Sequence, residues 1–342
     1  MAETVRVDSS LEGVVVADSA ISEVNGTQGI LRYRGVPLQD VVSRYHWETL
    51  LPWLIDVSVQ SQSTVKIAGL NRSEISSLNP MAVLIKVILN SEPDGDIDQD
   101  GVQWLMKTVL SFAQTLGGGT DPQNGLVAER YLQMLKRAPV TSLEARALDA
   151  YWVIVSEHSL NASTFGVRIA ASTGATLPMA LAAGVGILSG PLHGGAPSGV
   201  LDLLQEAAQS ADIGRLLRDK IDSGQKLMGF GHRVYRTMDP RAQALRGIFI
   251  EMASDHEEVR LALEVESAAL RLLQERKPDR ILATNVEFYA GALLHALGIP
   301  RSWCPPTFAC ARLAGWTAHY REQRQTGRLI RPLAAYRASF AK

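Results

Sequence analysis

Two histidines stand among glycines, His193 in Gly190-Pro-Leu-His-Gly-Gly195 and His232 in Gly229-Phe-Gly-His-Arg-Val-Tyr235. An imidazole changes charge near neutral pH and can give or take a proton. Flanking glycines let a ligand come close to the main chain. Taken singly, each motif reads equally well as a turn between helices. Arginines supply a second signal. Arg312 lies in the apolar stretch Thr307-Phe-Ala-Cys-Ala-Arg-Leu-Ala-Gly-Trp316. A charge on an apolar face is costly, so Arg312 calls for an acidic neighbour or an anionic ligand. Arg241 follows Asp239-Pro240 at a helix start, and Arg331 precedes Pro332. Arginine forks bind carboxylates through two hydrogen bonds, which favours a small polycarboxylate; ordinary ion pairs are the alternative. Glu287 completes the inventory in Thr284-Asn-Val-Glu-Phe-Tyr-Ala-Gly291. It falls in the first turn of a helix, where the dipole favours the ionised carboxylate. On position alone, a charge tuning helix stability is the simpler reading.

Other chemistries find no support in the spacing. None of the seven histidines forms an HxxxH or HxxH pair, and no Asp/Glu-His cluster has metal-ligand spacing, so no metal is expected. Gly229-x-Gly231 lacks the third glycine of the dinucleotide fingerprint, and no GxxxxGK[ST] loop occurs. Cys304 and Cys310 stand outside any CxxC pattern, and Cys310 reads as a buried helix residue.

The elements that must position these groups are mostly helical. The first forty residues are the exception. Val14-Val15-Val16, Ile21 to Val24 and Gly29 to Tyr33 suggest a small sheet with an Asn25-Gly26 turn, ended by Gly35 and Pro37. Beyond them, Ser198 and Asp212 read as caps of two helices, the second stopped by Gly224. Asp239-Pro240 opens another helix, the charged segment Asp255 to Arg280 reads as a surface helix, and a last one runs from about Phe288 to Leu297 before Gly298.

The chain's 342 residues fit one large domain or two unequal ones, and 46% hydrophobic content excludes disorder. Its 34 Lys+Arg against 35 Asp+Glu argue against a nucleic-acid or membrane-surface protein. The N-terminus has neither the basic nor the apolar region of a secretion signal, so a cytoplasmic, reducing setting is expected. The charge-free run Ile169 to Leu192 is long enough for a membrane span. Its many small residues instead suit helices packed closely in a core or subunit interface.

Taken in order, these motifs resemble the citrate synthase family. Ser156-Glu-His158-Ser-Leu-Asn-Ala-Ser-Thr-Phe165, Gly190-Pro-Leu-His-Gly-Gly-Ala196, and Gly229-Phe-Gly-His-Arg-Val-Tyr235 with Asp239-Pro-Arg241 carry the resemblance. Asn285-Val-Glu-Phe-Tyr289, Phe308-Ala-Cys-Ala-Arg312 and Arg328-Leu-Ile-Arg-Pro332 continue it, and it is weakest between residues 50 and 150. The resemblance implies a mostly α, two-domain fold with a small N-terminal β-hairpin or sheet, of the short homodimeric type. A small domain at residues 194–292 would close over substrates held against a large domain formed by 1–193 and 293–342. It also implies condensation of acetyl-CoA with oxaloacetate and hydrolysis of citryl-CoA, with no cofactor beyond the coenzyme A thioester. Glu287 takes the place of the base, His193 faces the acetyl carbonyl and His232 the ketone. His158, Arg241, Arg312 and Arg331 would hold oxaloacetate, with Arg331 coming from the partner subunit, and Gly229, Phe230 and Gly231 would contact CoA. One departure stands out: the family's usual base is aspartate, and here it is Glu287. 2-Methylcitrate synthase, which uses propionyl-CoA, shares these motifs. A catalytically weak regulatory paralogue is the reading outside the enzyme class.

Overall fold

The computed structural model describes residues 11, 13–58, 70, 75, 77–90, 97–194, 196–232, 234–278 and 282–334. Near the N-terminus, β1 (Ser22–Asn25) pairs antiparallel with β2 (Ile30–Tyr33), which pairs with the two-residue β3 (Val36–Pro37). Asn25 faces Ile30 across the ladder, so the turn spans four residues rather than the two of an Asn-Gly hairpin. The Asn25 side chain closes it by accepting the Gln28 N–H at 3.0 Å. Val14 to Val16 form no strand and are exposed. The sheet continues past Gly35 into β3, with Pro37 on the edge where a missing N–H costs no ladder bond.

Fifteen helices follow among the described residues. They are α1 (Leu38–Arg44), α2 (Trp47–Ile55), α3 (Pro80–Leu89), α4 (Ile97–Gly117), α5 (Val127–Lys136), α6 (Ser142–Val155), α7 (Ala162–Ser172) and α8 (Leu177–Leu188). The short α9 (Pro191–Gly194) leads into α10 (Ala196–Ala208), α11 (Ile213–Asp222), α12 (Pro240–Glu251), α13 (Glu257–Arg276), α14 (Val286–Ala296) and α15 (Cys304–Thr326).

Their starts are set locally. Asn161, Asp212, Asp239 and Asn285 each accept a backbone N–H from the first turn that follows, satisfying donors the helix leaves open. α10 begins at Ala196, two residues ahead of the expected start at Ser198. Gly224 and Gly298 take positive φ just past α11 and α14.

α15 is the central helix, buried almost continuously from Cys304 to Tyr320 and packed on α2, α6, α7 and α8. The charge-free run divides into α7 and α8, which pack on each other. No helix among the described residues is long and apolar enough to cross a membrane. In the other half, α10, α13 and α14 pack together, and α11 joins through α13. α12 touches α14 on one side and α6 and α1 on the other, so it links the two groups. The N-termini of α7, α12 and α14, the middle of α15 and the short α9 carry the residues of interest.

Candidate active site

Asp239 organises the cluster. Its carboxylate caps α12 by accepting the Arg241 N–H at 3.0 Å and grips the Arg241 side chain twice, Nε to Oδ1 at 3.0 Å and Nη2 to Oδ2 at 2.9 Å. Oδ2 also accepts the Val286 N–H at 3.1 Å, tying the starts of α12 and α14 together. Burial pushes the Asp239 carboxyl up, but the Arg241 charge and hydrogen bonds outweigh it and hold the group below the usual carboxylate range.

His232 sits against this pair. Its Nδ1 accepts two backbone N–H groups, from Val234 at 3.0 Å and Tyr235 at 3.1 Å. The neutral ring therefore carries its proton on Nε2. Nε2 lies 3.1 Å from Arg241 Nη2, another donor. Both nitrogens border the Asp239 and Glu287 carboxylates, and Nη2 already donates to Asp239 Oδ2. Removal from water and the neighbouring Arg241 charge lower the His232 pKa.

His158 faces His232 edge-on, with ring centroids 6.2 Å apart. Tyr235 joins them: its hydroxyl is 3.0 Å from His158 Nε2, and Arg241 lies over its ring at 5.8 Å. Burial, then Arg241 and Arg312, drive the His158 pKa well below 6.5, so the ring is neutral at pH 7.

Arg312 enters from the middle of α15. It is only 3% exposed, stacks over Phe308 at 5.0 Å, and leaves Nε and Nη1 buried without a hydrogen-bond partner. Glu157 acts on it electrostatically, yet forms no ion pair with it among the described residues. A guanidinium stays protonated even here, so a buried charge stands ready for an anion.

Glu287 occupies the first turn of α14, half-buried, with Oε2 enclosed and without a hydrogen-bond partner among the described residues. Its carboxylate lies close to His232 and Asp239: the three offer ligand atoms within 4.8 Å of one another. A cation is disfavoured there because the Arg241 guanidinium occupies the cluster and engages both Asp239 oxygens.

His193, on α9, places Nε2 2.8 Å from the Ser163 hydroxyl in the first turn of α7. Ser163 Oγ is also 2.8 Å from Asn161 Oδ1, an oxygen that can only accept. Ser163 therefore donates to Asn161 and accepts Nε2–H from His193; donation from His193 Nδ1 needs that hydroxyl to turn. Burial, then Arg312, lowers the His193 pKa.

The Gly229–Gly231 stretch has a structural reason of its own. Gly229 and Gly231 both have positive φ, and a Cβ on Gly229 would strike Phe288 at 2.8 Å. Gly231 N donates to Ala283 O, and Asn285 joins Gly229 O through its N–H and Gly231 O through its side chain. Phe230 packs on Phe288 with centroids 5.2 Å apart. Arg331 is exposed in the segment after α15, where the adjacent Ile330 N–H meets Ser172 Oγ at the far end of α7. Among the described residues it makes no hydrogen bond or ion pair with the cluster.

The structure thus gathers His158, His232, Arg241 and Glu287 directly, brings Arg312 within electrostatic reach and sets His193 on Ser163. It adds Tyr235, Asp239, Asn285, Ser163 and Glu157, all of them inside the motifs that carry the family resemblance. Tyr151 is a further addition: its buried, unpartnered hydroxyl feels Arg312, Glu287 and Arg241.

Comparison with known proteins bears on the family and the fold. A family model described as "Citrate synthase, C-terminal domain" matches residues 10–333. A Mycobacterium tuberculosis (strain H37Rv) protein, provisionally described as citrate synthase 2, is 37% identical over 95% of this chain and 91% of its own. The 2-methylcitrate synthase of Shewanella oneidensis is 35% identical over 64% of this chain and 57% of its own. The crystal structure of citrate synthase from Thermotoga maritima superimposes with a TM-score of 0.80 at 26% identity, covering 98% of this chain and 97% of that one. Motif order, fold and whole-chain similarity agree, and the chain belongs to the citrate synthase family.

Proposed function

We propose that this enzyme condenses acetyl-CoA with oxaloacetate and hydrolyses citryl-CoA to citrate and free CoA. The observation that carries the reading is Arg312, a buried guanidinium with two unpaired N–H groups, set near Arg241 and two neutral histidines. Such a site suits a small dianion with a polarisable oxygen.

A thioester α-proton is weakly acidic, so its removal needs a base and a donor to the forming enolate oxygen. Glu287 takes the proton from the acetyl methyl. His193 donates to the thioester carbonyl from Nδ1 once Ser163 turns its hydroxyl to Nε2. The enolate carbon then forms the new C–C bond to the oxaloacetate ketone, whose oxygen takes up a proton from His232 Nε2, and the proton held by Glu287 afterwards restores that ring. Water cleaves the resulting thioester and releases CoA thiol. Arg241, Arg312 and His158 hold the carboxylates of oxaloacetate. The scheme needs no metal and no cofactor beyond the thioester.

We assign residues 194–292 to a small domain that closes over oxaloacetate and shields the thioester from premature hydrolysis. Gly229, Phe230 and Gly231 lie on its CoA side. We further assign a homodimer in the cytoplasm, with Arg331 reaching the partner's site. Ile169, Met179 and Ile187, partly exposed on the paired helices α7 and α8, are suited to that contact.

The similarity to a 2-methylcitrate synthase supports a second reading, in which propionyl-CoA is the preferred donor. One methylene is worth only about 1–3 kcal/mol in an apolar pocket, so both donors belong in the test. Free thiol is followed with oxaloacetate and either acetyl-CoA or propionyl-CoA, without added metal. A higher kcat/KM for acetyl-CoA is expected, a higher value for propionyl-CoA establishes the second reading, and no release with either overturns both.

A further inference from the structure

The two histidines that face each other belong to separate loops, and the same N-terminal hairpin holds both. Ser22 on β1 donates to Glu157 Oε1 at 2.9 Å and accepts the Ser159 N–H at 3.0 Å, so it brackets His158 from either side. Tyr33 on β2 places its hydroxyl 2.7 Å from Ile154 O and 2.9 Å from Glu157 O and accepts the Glu157 N–H at 3.2 Å. Ser159 has φ +53°, a conformation a non-glycine residue keeps only when its surroundings fix it. Here the bonds from its N–H to Ser22 and Glu157 supply that constraint.

At the hairpin tip, Gly26 O accepts the Arg236 N–H at 2.8 Å. A Cβ on Gly26 would collide with the carbonyl of Val234. Val234 is one of the two residues whose N–H holds His232 Nδ1, and Tyr235, the next residue, is the other. The loop that fixes the His232 tautomer therefore rests directly on the tip.

We propose that the hairpin is a positioning element of the active site, in which Ser22 sets the His158 loop and Gly26 sets the His232 loop. Neither residue touches substrate. The hairpin fixes the spacing between a carboxylate-binding histidine and the ketone-polarising one, a distance on which oxaloacetate binding depends. Only the substrate readouts of this inference rest on the proposed condensation.

The test uses the full chain carrying Gly26→Ala or Ser22→Ala, with Thr27→Ala on the exposed tip as control. Gly26 lacks a positive φ, so alanine fits its backbone and acts only through the Val234 contact. Each variant is measured for oxaloacetate Kd, kcat, KM for acetyl-CoA, Tm, and the NMR signals of the His158 and His232 rings. A displacement near 1 Å costs on the order of 10- to 100-fold, so oxaloacetate Kd or kcat should worsen by that factor. KM for acetyl-CoA should stay within about twofold, since His193 lies elsewhere and the Gly229–Gly231 stretch is anchored separately, on Ala283 and Asn285. The His232 signals should move in Gly26→Ala, the His158 signals in Ser22→Ala, and neither in Thr27→Ala. Wild-type oxaloacetate parameters with unmoved ring signals overturn the proposal. So does a loss shared equally by both substrates with a collapse in Tm, which marks a role in stability alone. If the unmodified enzyme neither binds oxaloacetate nor releases thiol, the condensation reading fails, and the ring signals still decide the positioning.

Discussion

Asp239 holds Arg241 by two parallel hydrogen bonds, Nε to Oδ1 at 3.0 Å and Nη2 to Oδ2 at 2.9 Å, while the same carboxylate accepts the N–H of Val286. One buried side chain therefore fixes Arg241, which we propose binds oxaloacetate, and the start of the helix that carries Glu287. Replacing it by asparagine keeps the size and removes the charge. Breaking a buried pair in this way costs about 3–5 kcal/mol, because Arg241 is left uncompensated. Asp239→Asn should lower Tm in calorimetry and weaken oxaloacetate binding together. An unchanged Tm would show that Arg241 is neutralised by another group.

Arg312 differs because, among the described residues, its Nε and Nη1 have no hydrogen-bond partner to lose. Arg312→Met should leave Tm unchanged or raise it, since a buried unpaired charge is costly. The same change should raise oxaloacetate Kd by about 30- to 150-fold, the worth of a charge-assisted bond of roughly 2–3 kcal/mol. Melting curves and calorimetric titration check both halves. Loss of stability without loss of affinity would make Arg312 a structural ion.

Ser163 has one proton and two neighbours that can accept it, Asn161 Oδ1 and His193 Nε2. Ser163→Ala removes the choice. It should cut kcat on the order of 10-fold or more by releasing the His193 tautomer, with oxaloacetate Kd unchanged. Nitrogen NMR of His193 with and without bound substrate reports which ring nitrogen is protonated, and an unchanged tautomer in the variant contradicts this role.

Stability should fall on the acid side through the histidines. The pKa values of His158, His193 and His232 are all lowered from 6.5, so they remain neutral in the fold after the unfolded chain has taken up protons. The unfolded state then binds more protons, and stability rises with pH across that window. Their contribution is complete above pH 6.5 and is lost as pH drops through the lowered values. Tm should decrease from pH 7 toward pH 5, and His158→Asn should flatten that slope. An equal slope in the variant would contradict the assignment for His158.

The features legible in the sequence were those that depend on near neighbours. Asp212 and Asp239 cap because a short side chain reaches an N–H two or three residues ahead, which any reader of the chain can count. The second role of Asp239, reaching Val286, depends on how α12 meets α14 and carries no local signal. The same holds for Ser163 beneath His193 and Tyr235 beside His158. Asn25-Gly26 looked like a two-residue turn, but pairing of Asn25 with Ile30 set a four-residue loop. Arg312 was legible because a charge in an apolar helix is conspicuous, and the structure leaves it unpaired as an anion site requires.

Glu287 in place of the family's aspartate is the centre of the account. The most direct measurement compares the unmodified enzyme with Glu287→Gln at saturating oxaloacetate and acetyl-CoA, following thiol release, with oxaloacetate Kd taken in parallel. A positioned base contributes about 100- to 10,000-fold, so kcat should fall by a factor in that range while oxaloacetate Kd holds within about threefold. Glu287→Asp should also lose rate, because the shorter side chain draws the carboxylate back by roughly one bond length. Thiol release at the unmodified rate in Glu287→Gln would contradict the assignment of the base.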